Sequence, residues 1–528
     1  MILAPPPRRL DPIDLLAREL RAAGVDPTLA TAGVDAPLLC PGATLEAEPA
    51  RAATAGGDAP PPCPPPKEVL DRLLPLYQLL PVCVVLDALR ATRRHSRRQR
   101  DLPAHCVVWL VVAASLFRDR SLPMVWRHLH SSRDRPEPDD SAFTHARKRL
   151  GADPLRQLFH HVAAPLGQPG MSSAFHRRWR LFALDGSIFE LADTPANRAH
   201  FGSASNQHKD GAFPQLQLLA LCEVGTHAIF DIEFGPYRVS ELALSERLLP
   251  RLPKGALLLM DRGLSYYEQV RLVLRRDGHV LARVKAEQRE LPVEEALPDG
   301  SYLSHIYPSS NDRRAGKGGI AVRVIRYTHD DPGRGGTGEE TCLITTVLDP
   351  AELSAEEAIQ LYPWRWEEES ALEEVKGVLL EGKEPLLRSK TPELVEQELY
   401  GLMLAHYVVR SVMAAAAVLA EVEACRLSFK RSQEILEDYL MEKPGRAGKR
   451  AWLRRLVAEV SRQQLRPKEH RSNPRVKKVT RSKWPGKKAQ DKGRVHELPF
   501  AEVCRVVSPE AAGAGQAKGP APAVKGTG

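Results

Sequence analysis

Tyr362-Pro363-Trp364-Arg365-Trp366-Glu367-Glu368-Glu369-Ser370-Ala371-Leu372-Glu373-Glu374-Val375-Lys376 gathers the side-chain types that phosphodiester chemistry asks for. On a helix, with about 100° of rotation per residue, Tyr362, Arg365, Glu369 and Lys376 fall within a sector of roughly 60°. One face then offers a hydroxyl, a guanidinium, a carboxylate and an ammonium. The carboxylate suits a divalent cation, and the two positive groups suit phosphate oxygens. Taken alone, the same helix also reads as a solvated charged face with i,i+4 pairs. Glu373 shares the face, so helical geometry by itself admits it as the acid in place of Glu369.

Two aspartates follow apolar runs: Asp185 after Leu181-Phe182-Ala183-Leu184, and Asp261 after Leu257-Leu258-Leu259-Met260. A carboxylate at the mouth of a buried strand is costly without a partner, and a bound cation supplies one. A strand-end Asp that caps a turn is the commoner use of either residue alone. With Glu369 the pair makes three carboxylates that can converge on two Mg²⁺ ions about 4 Å apart, the arrangement used for in-line attack at phosphorus.

The elements that must position these groups follow from periodicity. Residues 1–66 are rich in Pro, Ala and Gly and are expected to be a disordered tail, with one short helix over Asp11 to Gly24. Residues 67–170 read as a helical amino-terminal domain. Within it Cys106 to Phe117 is a buried helix, Ser121 caps Leu122 to Leu129, and Ser141 caps a short helix ending at Gly151. That last helix carries Arg147, Lys148 and Arg149 after a turn, as a DNA-binding helical module would, or simply as a solvated basic face.

From Leu181 the pattern turns to strands. Leu181 to Leu191 reads as a strand, a Gly-containing turn or bulge and a second strand. Leu216 to Val224 and Ala228 to Gly235 follow, then helix Glu241 to Leu249, buried strand Ala256 to Asp261, helix Tyr266 to Arg276 and strand His279 to Val284. Three antiparallel strands, then buried strands alternating with helices, is the order of an α/β ribonuclease H-like domain with a mixed sheet. Its expected parts are 178–286 and 350–390, with a β insertion over 287–349 that holds strands Ile320 to Thr328 and Thr341 to Leu348. A carboxy-terminal helical region, 391–465, and a basic, low-complexity tail, 466–528, complete the chain.

Charge and cysteine usage narrow the function classes. The 528 residues carry a net charge of +9, concentrated in clusters: residues 466–494 hold twelve Lys or Arg against two acids, and 90–100 hold six Arg and no acid. Such clusters call for a polyanionic partner, most often nucleic acid, and Arg475, Lys477 and Lys478 are placed to meet a DNA backbone without sequence choice. Eight scattered cysteines without a CxxC or Cys/His pattern exclude a zinc-finger reading and fit a reduced, cytoplasmic setting. No signal peptide is visible, and the apolar stretch Gly401 to Ala420 is interrupted by His406 and Arg410, which favours a buried helix over a membrane span.

The motif residues together resemble the DDE transposases of bacterial insertion sequences, specifically the insertion-sequence-4 type. The resemblance is carried by Leu184-Asp185-Gly186-Ser187, by Met260-Asp261-Arg262-Gly263, and by the family's Y-(2)-R-(3)-E-(6)-K signature, met in full by Tyr362, Arg365, Glu369 and Lys376. The two aspartates are 76 residues apart and the glutamate follows 108 residues later, room for the family's β insertion. The likeness extends from about Val69 to Trp484.

It implies that Asp185, Asp261 and Glu369 are the catalytic acids and bind two Mg²⁺ ions, with Mn²⁺ as a substitute. They would cut the transposon ends by hydrolysis and join the freed 3′-OH to target DNA by transesterification. Tyr362, Arg365 and Lys376 would grip phosphates near the cut end. Trp366 would stack on an unpaired base or pack on its helix, and Arg262 would reach phosphate or neutralise the acids. The partners implied are double-stranded transposon-end and target DNA and a second copy of the chain in a homodimer, with no membrane, in a cytoplasmic protein that joins the nucleoid when DNA-bound. A catalytically silent, sequence-specific DNA-binding descendant and a ribonuclease H-like nuclease without strand transfer are the alternatives.

Overall fold

The computed structural model describes residues 80–508 except 81, 97–100, 130–137, 207–208, 211–212, 285–290, 332–336, 381–385, 442–447, 466–470, 473–493, 496–497 and 499. The expected tail 1–66 with its short helix, and the basic residues Arg475, Lys477 and Lys478, lie outside the described residues. The chain divides into two compact units, one drawn from Met1–Val162, Glu396–Val422 and Phe429–Gln463, the other from Ala163–Val395, Glu423–Ser428 and Gln464–Gly528.

The first unit is helical. Its amino-terminal elements are α1 (Val82–Ala91), α2 (Ala104–Leu116), α3 (Leu122–Leu129), α4 (Asp140–Leu150) and α5 (Asp153–Val162). Helix α2 is apolar on every side and buried almost throughout, as its composition requires. Helix α4 starts one residue before the expected Ser141, with Asp139 at its N-cap position, and stops at Gly151, whose φ of 70° an L side chain adopts only with strain.

In the second unit β1 (Phe175–His176) pairs with β2 (Trp179–Glu190). The chain continues through α6 (Pro195–Phe201), β3 (Ser205–Asn206), β4 (Lys209–Asp210), β5 (Gln215–Glu223), β6 (Ala228–Pro236), α7 (Glu241–Leu248), β7 (Ala256–Met260), α8 (Tyr267–Leu274) and β8 (His279–Val284). Then come β9 (Glu295–Ala296), β10 (Tyr302–Ile306), α9 (Ser310–Arg314), β11 (Ile320–His329), β12 (Thr341–Thr345), α10 (Ala355–Leu361) and α11 (Trp366–Glu373). The strand order β6-β5-β2-β7-β8 holds an antiparallel trio followed by two parallel strands, with α7 and α8 on the connections. This is the expected ribonuclease H-like mixed sheet.

One expectation changes here. Leu181 to Leu191 is not a strand, a Gly-containing turn or bulge and a second strand: β2 runs unbroken through Gly186, because Asp185 to Glu190 all pair with β5. The segment 287–349 extends the same sheet, since β12 pairs antiparallel with β8 and β11, β10 and β9 follow in order. Residues 504–506 of the expected low-complexity tail add a short strand on β11. Apolar side chains fill both faces of this sheet, Leu184, Leu258 and Met260 on one and Leu181, Ala183 and Leu259 on the other.

The chain then returns to the helical unit. Helix α12 (Pro392–Ala420) belongs to it from Glu396 on, followed by α13 (Phe429–Met441) and α14 (Gly448–Val460), so the helices expected as a region of their own share a unit with the amino-terminal ones. Helix α12 has the length and hydropathy of a membrane span, but most of it is buried inside the protein, His406 and Arg410 included. Gly401 lets it approach α2, since a Cβ there would meet the Val111 side chain at 2.6 Å.

Candidate active site

Strand register brings the two aspartates together. Leu184 on β2 and Met260 on β7 are paired in parallel, and each is followed by its aspartate. Asp185 and Asp261 therefore leave neighbouring strands at the same level, about 4.8 Å apart along the hydrogen-bonding direction. Asp261 follows the last residue of β7 as expected, whereas Asp185 lies mid-strand opposite Ala220.

Glu369 arrives from the helical connection. Ser354 and Glu357 form a capping box that starts α10, the Ser354 hydroxyl accepting the Glu357 amide at 3.1 Å and the Glu357 carboxylate accepting the Ser354 amide at 2.8 Å. The motif is not one uniform helix. Tyr362–Arg365 is a 3₁₀ turn, Trp366–Glu373 is α and Glu374–Leu379 is π-wound. Such changes of winding cluster at functional sites.

Arg365 joins the pieces. Its guanidinium donates to Glu369 Oε1 at 3.2 Å and lies 3.6 Å from Asp185 Oδ2, with its side chain only 4% exposed. Burial alone would lower its pKa, but Tyr362, Asp261, Asp185 and Glu369 outweigh it and raise it. Burial pushes Asp185 up, and Asp261 adds to the rise, against the Gly186 amide at 2.8 Å and Arg365. Burial likewise pushes the Tyr362 hydroxyl up to about 12. Tyr362 and Arg365 are thus buried, Lys376 lies 5.7 Å over the Phe189 ring, and Trp366 is 45% exposed with Arg365 against its ring.

Two further carboxylates face this cluster, and neither was singled out from the sequence. Glu241, at the start of α7, accepts from Gln217 at 3.0 Å and occupies the space a Cβ on Gly186 would take. Its pKa is raised by burial, then by Asp185 and by Asp261. As an acid after a Ser cap it looks like ordinary helix-start chemistry. Glu368 is wholly buried, and among the described residues neither carboxyl oxygen makes a hydrogen bond of normal geometry. Burial and the Asp185 charge push its pKa well up, while the Asp185 backbone and Arg365 pull the other way. A signal for Glu368 existed: Ala371, Leu372 and Val375 follow at i+3, i+4 and i+7, placing it on the apolar stripe.

The donor set suits a hard divalent cation. Its candidate ligands are carboxylate oxygens, and Asp185 and Glu241 have pKa values raised first by burial and further by the neighbouring carboxylates, Asp261 for Asp185 and both aspartates for Glu241. Among the described residues no three acidic, His or Cys side chains are grouped closely enough to hold one ion as they stand. Arg365 supplies the counter-charge between Asp185 and Glu369.

Of the other expected DNA contacts, Arg262, Lys148 and Arg149 are exposed. Arg147 points elsewhere. Its Nε donates to Gln397 at 2.7 Å while the Gln397 amide donates to the Arg147 and Gly151 carbonyls, so the side chain closes the end of α4.

The profile for the insertion element 4 transposase N-terminal region matches residues 71–160, and that for the transposase DDE domain matches 178–408. Transposase InsG for insertion sequence element IS4 of Escherichia coli (strain K12) is 30% identical over 405 residues, covering 74% of this chain and 88% of the relative. The chain belongs to the insertion-sequence-4 type of DDE transposases. A second relative of this transposase, InsZ of the same strain, is 32% identical over 220 residues, covering 41% of the chain and 70% of InsZ. A piggyBac transposase synaptic complex with hairpin DNA aligns at 11% identity and a TM-score of 0.41, covering 80% and 88% of the two chains.

Proposed function

We propose that this transposase binds the inverted ends of its own insertion sequence, cuts them by metal-dependent phosphodiester hydrolysis and joins the freed 3′-OH to target DNA by transesterification. The observation that carries the reading is the parallel pairing of Leu184 with Met260, which sets Asp185 beside Asp261, together with Arg365, which ties Asp185 to Glu369. Asp185, Asp261 and Glu369 would hold two Mg²⁺, or Mn²⁺ in their place. When bound, the ions supply the Lewis acidity that makes water or a 3′-OH nucleophilic and that steadies the leaving 3′ oxygen.

The remaining roles belong to the chain itself. Arg365, held between Asp185 and Glu369, would present to a phosphate a planar guanidinium that fits it in bidentate fashion. Tyr362 and Lys376 complete that grip, and Arg262, beside Asp261, reaches the same strand. Exposed Trp366 offers a stacking face for an unpaired base at the cut end. Lys148 and Arg149 on α4 hold duplex backbone, residues 67–170 serve as the end-binding domain, and a homodimer pairs two ends. The work takes place in the cytoplasm, on the nucleoid.

Cleavage of DNA carrying the element's ends, with Mg²⁺, tests the reading. Asp185→Asn, Asp261→Asn and Glu369→Gln should each cut nicking by roughly a thousandfold or more while end binding persists. Retained cutting in any one removes that residue from the site. A wild-type protein that binds ends and never nicks is a silent DNA-binding descendant.

A further inference from the structure

The turn between β5 and β6 is built at unusual cost. Glu223, with no solvent exposure, accepts the Leu166 and Gly167 amides at 2.8 and 2.6 Å and the Thr226 hydroxyl at 2.5 Å, with Arg180 3.4 Å away. A Cβ on Gly225 would stand 2.6 Å from the Ala174 amide nitrogen, so the chain passes too close for any other residue. The turn ends on His227 at φ 56°, a left-handed conformation that costs a non-glycine residue roughly 1 kcal/mol or more.

What that arrangement delivers is an imidazole, 4% exposed, gripping one helix at two points. Nε2 lies 2.7 Å from Glu367 Oε2, and Nδ1 lies 3.1 Å from Glu374 Oε1. The two glutamates are seven residues apart and so share a face two turns long. They also bracket the junction at which the helix passes from α to π winding. Glu369 projects about 200° around the helix from Glu367, so the imidazole works from the side away from the acid cluster.

We infer that His227 is a positioning residue for Glu369, acting through a clasp on both halves of the helix that carries it. The inference rests on the reading of Asp185, Asp261 and Glu369 as the metal-holding acids. A helix that changes its winding has neighbouring registers close in energy. A one-residue slip would carry Glu369 about 1.5 Å along and 100° around the axis, enough to take it out of a shared ion cluster. A hold on both sides of the junction opposes rotation and translation together, which a single contact does not.

The test uses the full-length protein with His227→Gly, because glycine suits φ 56° and leaves the space of the ring empty. End binding, measured in Ca²⁺, should match wild type. Single-turnover nicking should fall roughly ten- to a hundredfold with a higher Mg²⁺ midpoint. Added imidazole should restore much of that loss, which a fold defect would not allow. Glu367→Gln with Glu374→Gln should reproduce the loss, resist imidazole, and gain nothing further from His227→Gly.

Amide exchange over Trp366 to Leu379, a readout that needs no cleavage, should quicken in the variant. Nicking and exchange both within about twofold of wild type would overturn the clasp, as would a loss that ignores imidazole and adds to that of the double variant. A wild-type protein that never nicks, beside a variant whose helix exchanges faster, would remove the metal-cluster reading and leave the clasp standing.

Discussion

Glu368 shows how a single side chain can be set against its surroundings. It points into the sheet beside Asp185 with full burial, although its neighbours Glu367 and Glu369 both reach polar partners. A buried carboxyl that makes no hydrogen bond of normal geometry among the described residues costs about 1–3 kcal/mol, so Glu368→Leu, which keeps the apolar stripe intact, should raise unfolding stability by about that amount near neutral pH. The sign of the pH dependence is fixed by the raised folded-state pKa. Such a group contributes its full stability below the unfolded carboxylate value and loses it as pH rises toward the folded one. Urea midpoints of wild type should therefore fall behind those of Glu368→Leu progressively from acid to neutral pH. A gap that is constant with pH would mean the carboxyl is not held neutral by burial.

At the level of elements, the signature helix owes its placement to the fastened segment before α10. The Ser354–Glu357 capping box opens that helix, and Asp299, in the turn between β9 and β10, accepts the Ala355 amide at 2.8 Å. Buried Arg323 on β11 donates to the Leu353 carbonyl and lies 3.7 Å from Asp299. The strands of the expected β insertion thus fasten the entry to the motif, and they continue the sheet that carries Asp185. Ser354→Ala should cost about 1 kcal/mol in chemical denaturation, since it frees an orphan amide at the helix start. Because Asp299 still holds Ala355, nicking should drop far less than in Glu369→Gln. An equal drop would place the capping box within the catalytic machinery.

For the whole molecule the relevant quantity is charge. A net +9 does not specify a site, yet it predicts association that weakens with salt. Lys148 and Arg149 stand exposed at the end of α4, while Arg147 beside them is engaged by Gln397. Lys148→Ala with Arg149→Ala should lower end affinity and reduce the slope of log affinity against log salt by roughly one for each phosphate no longer neutralised. Arg147→Ala should instead lower stability, having removed the partner that Gln397 needs. An unchanged salt slope in the double variant would take α4 out of the DNA interface.

The sequence alone determined most of the element types, and it singled out Asp185, Asp261 and Glu369 as the acids of the proposed site. The short apolar run Ala256 to Met260, bounded by Gly255 and Asp261, reads as a buried strand, and a four-residue signature at fixed spacing survives whatever surrounds it. It also placed β8 within its bounds, from His279 to Val284. Which residues meet was settled by the tertiary structure, because register is a relation between strands and no local pattern contains it. Asp185 comes beside Asp261 only once Leu184 pairs with Met260, and β2 stays unbroken through Gly186 only because β5 supplies its hydrogen bonds. Glu241, Glu368 and His227 acquire their roles from side chains dozens of residues away, through burial and charge that exist only after the sheet has closed over them.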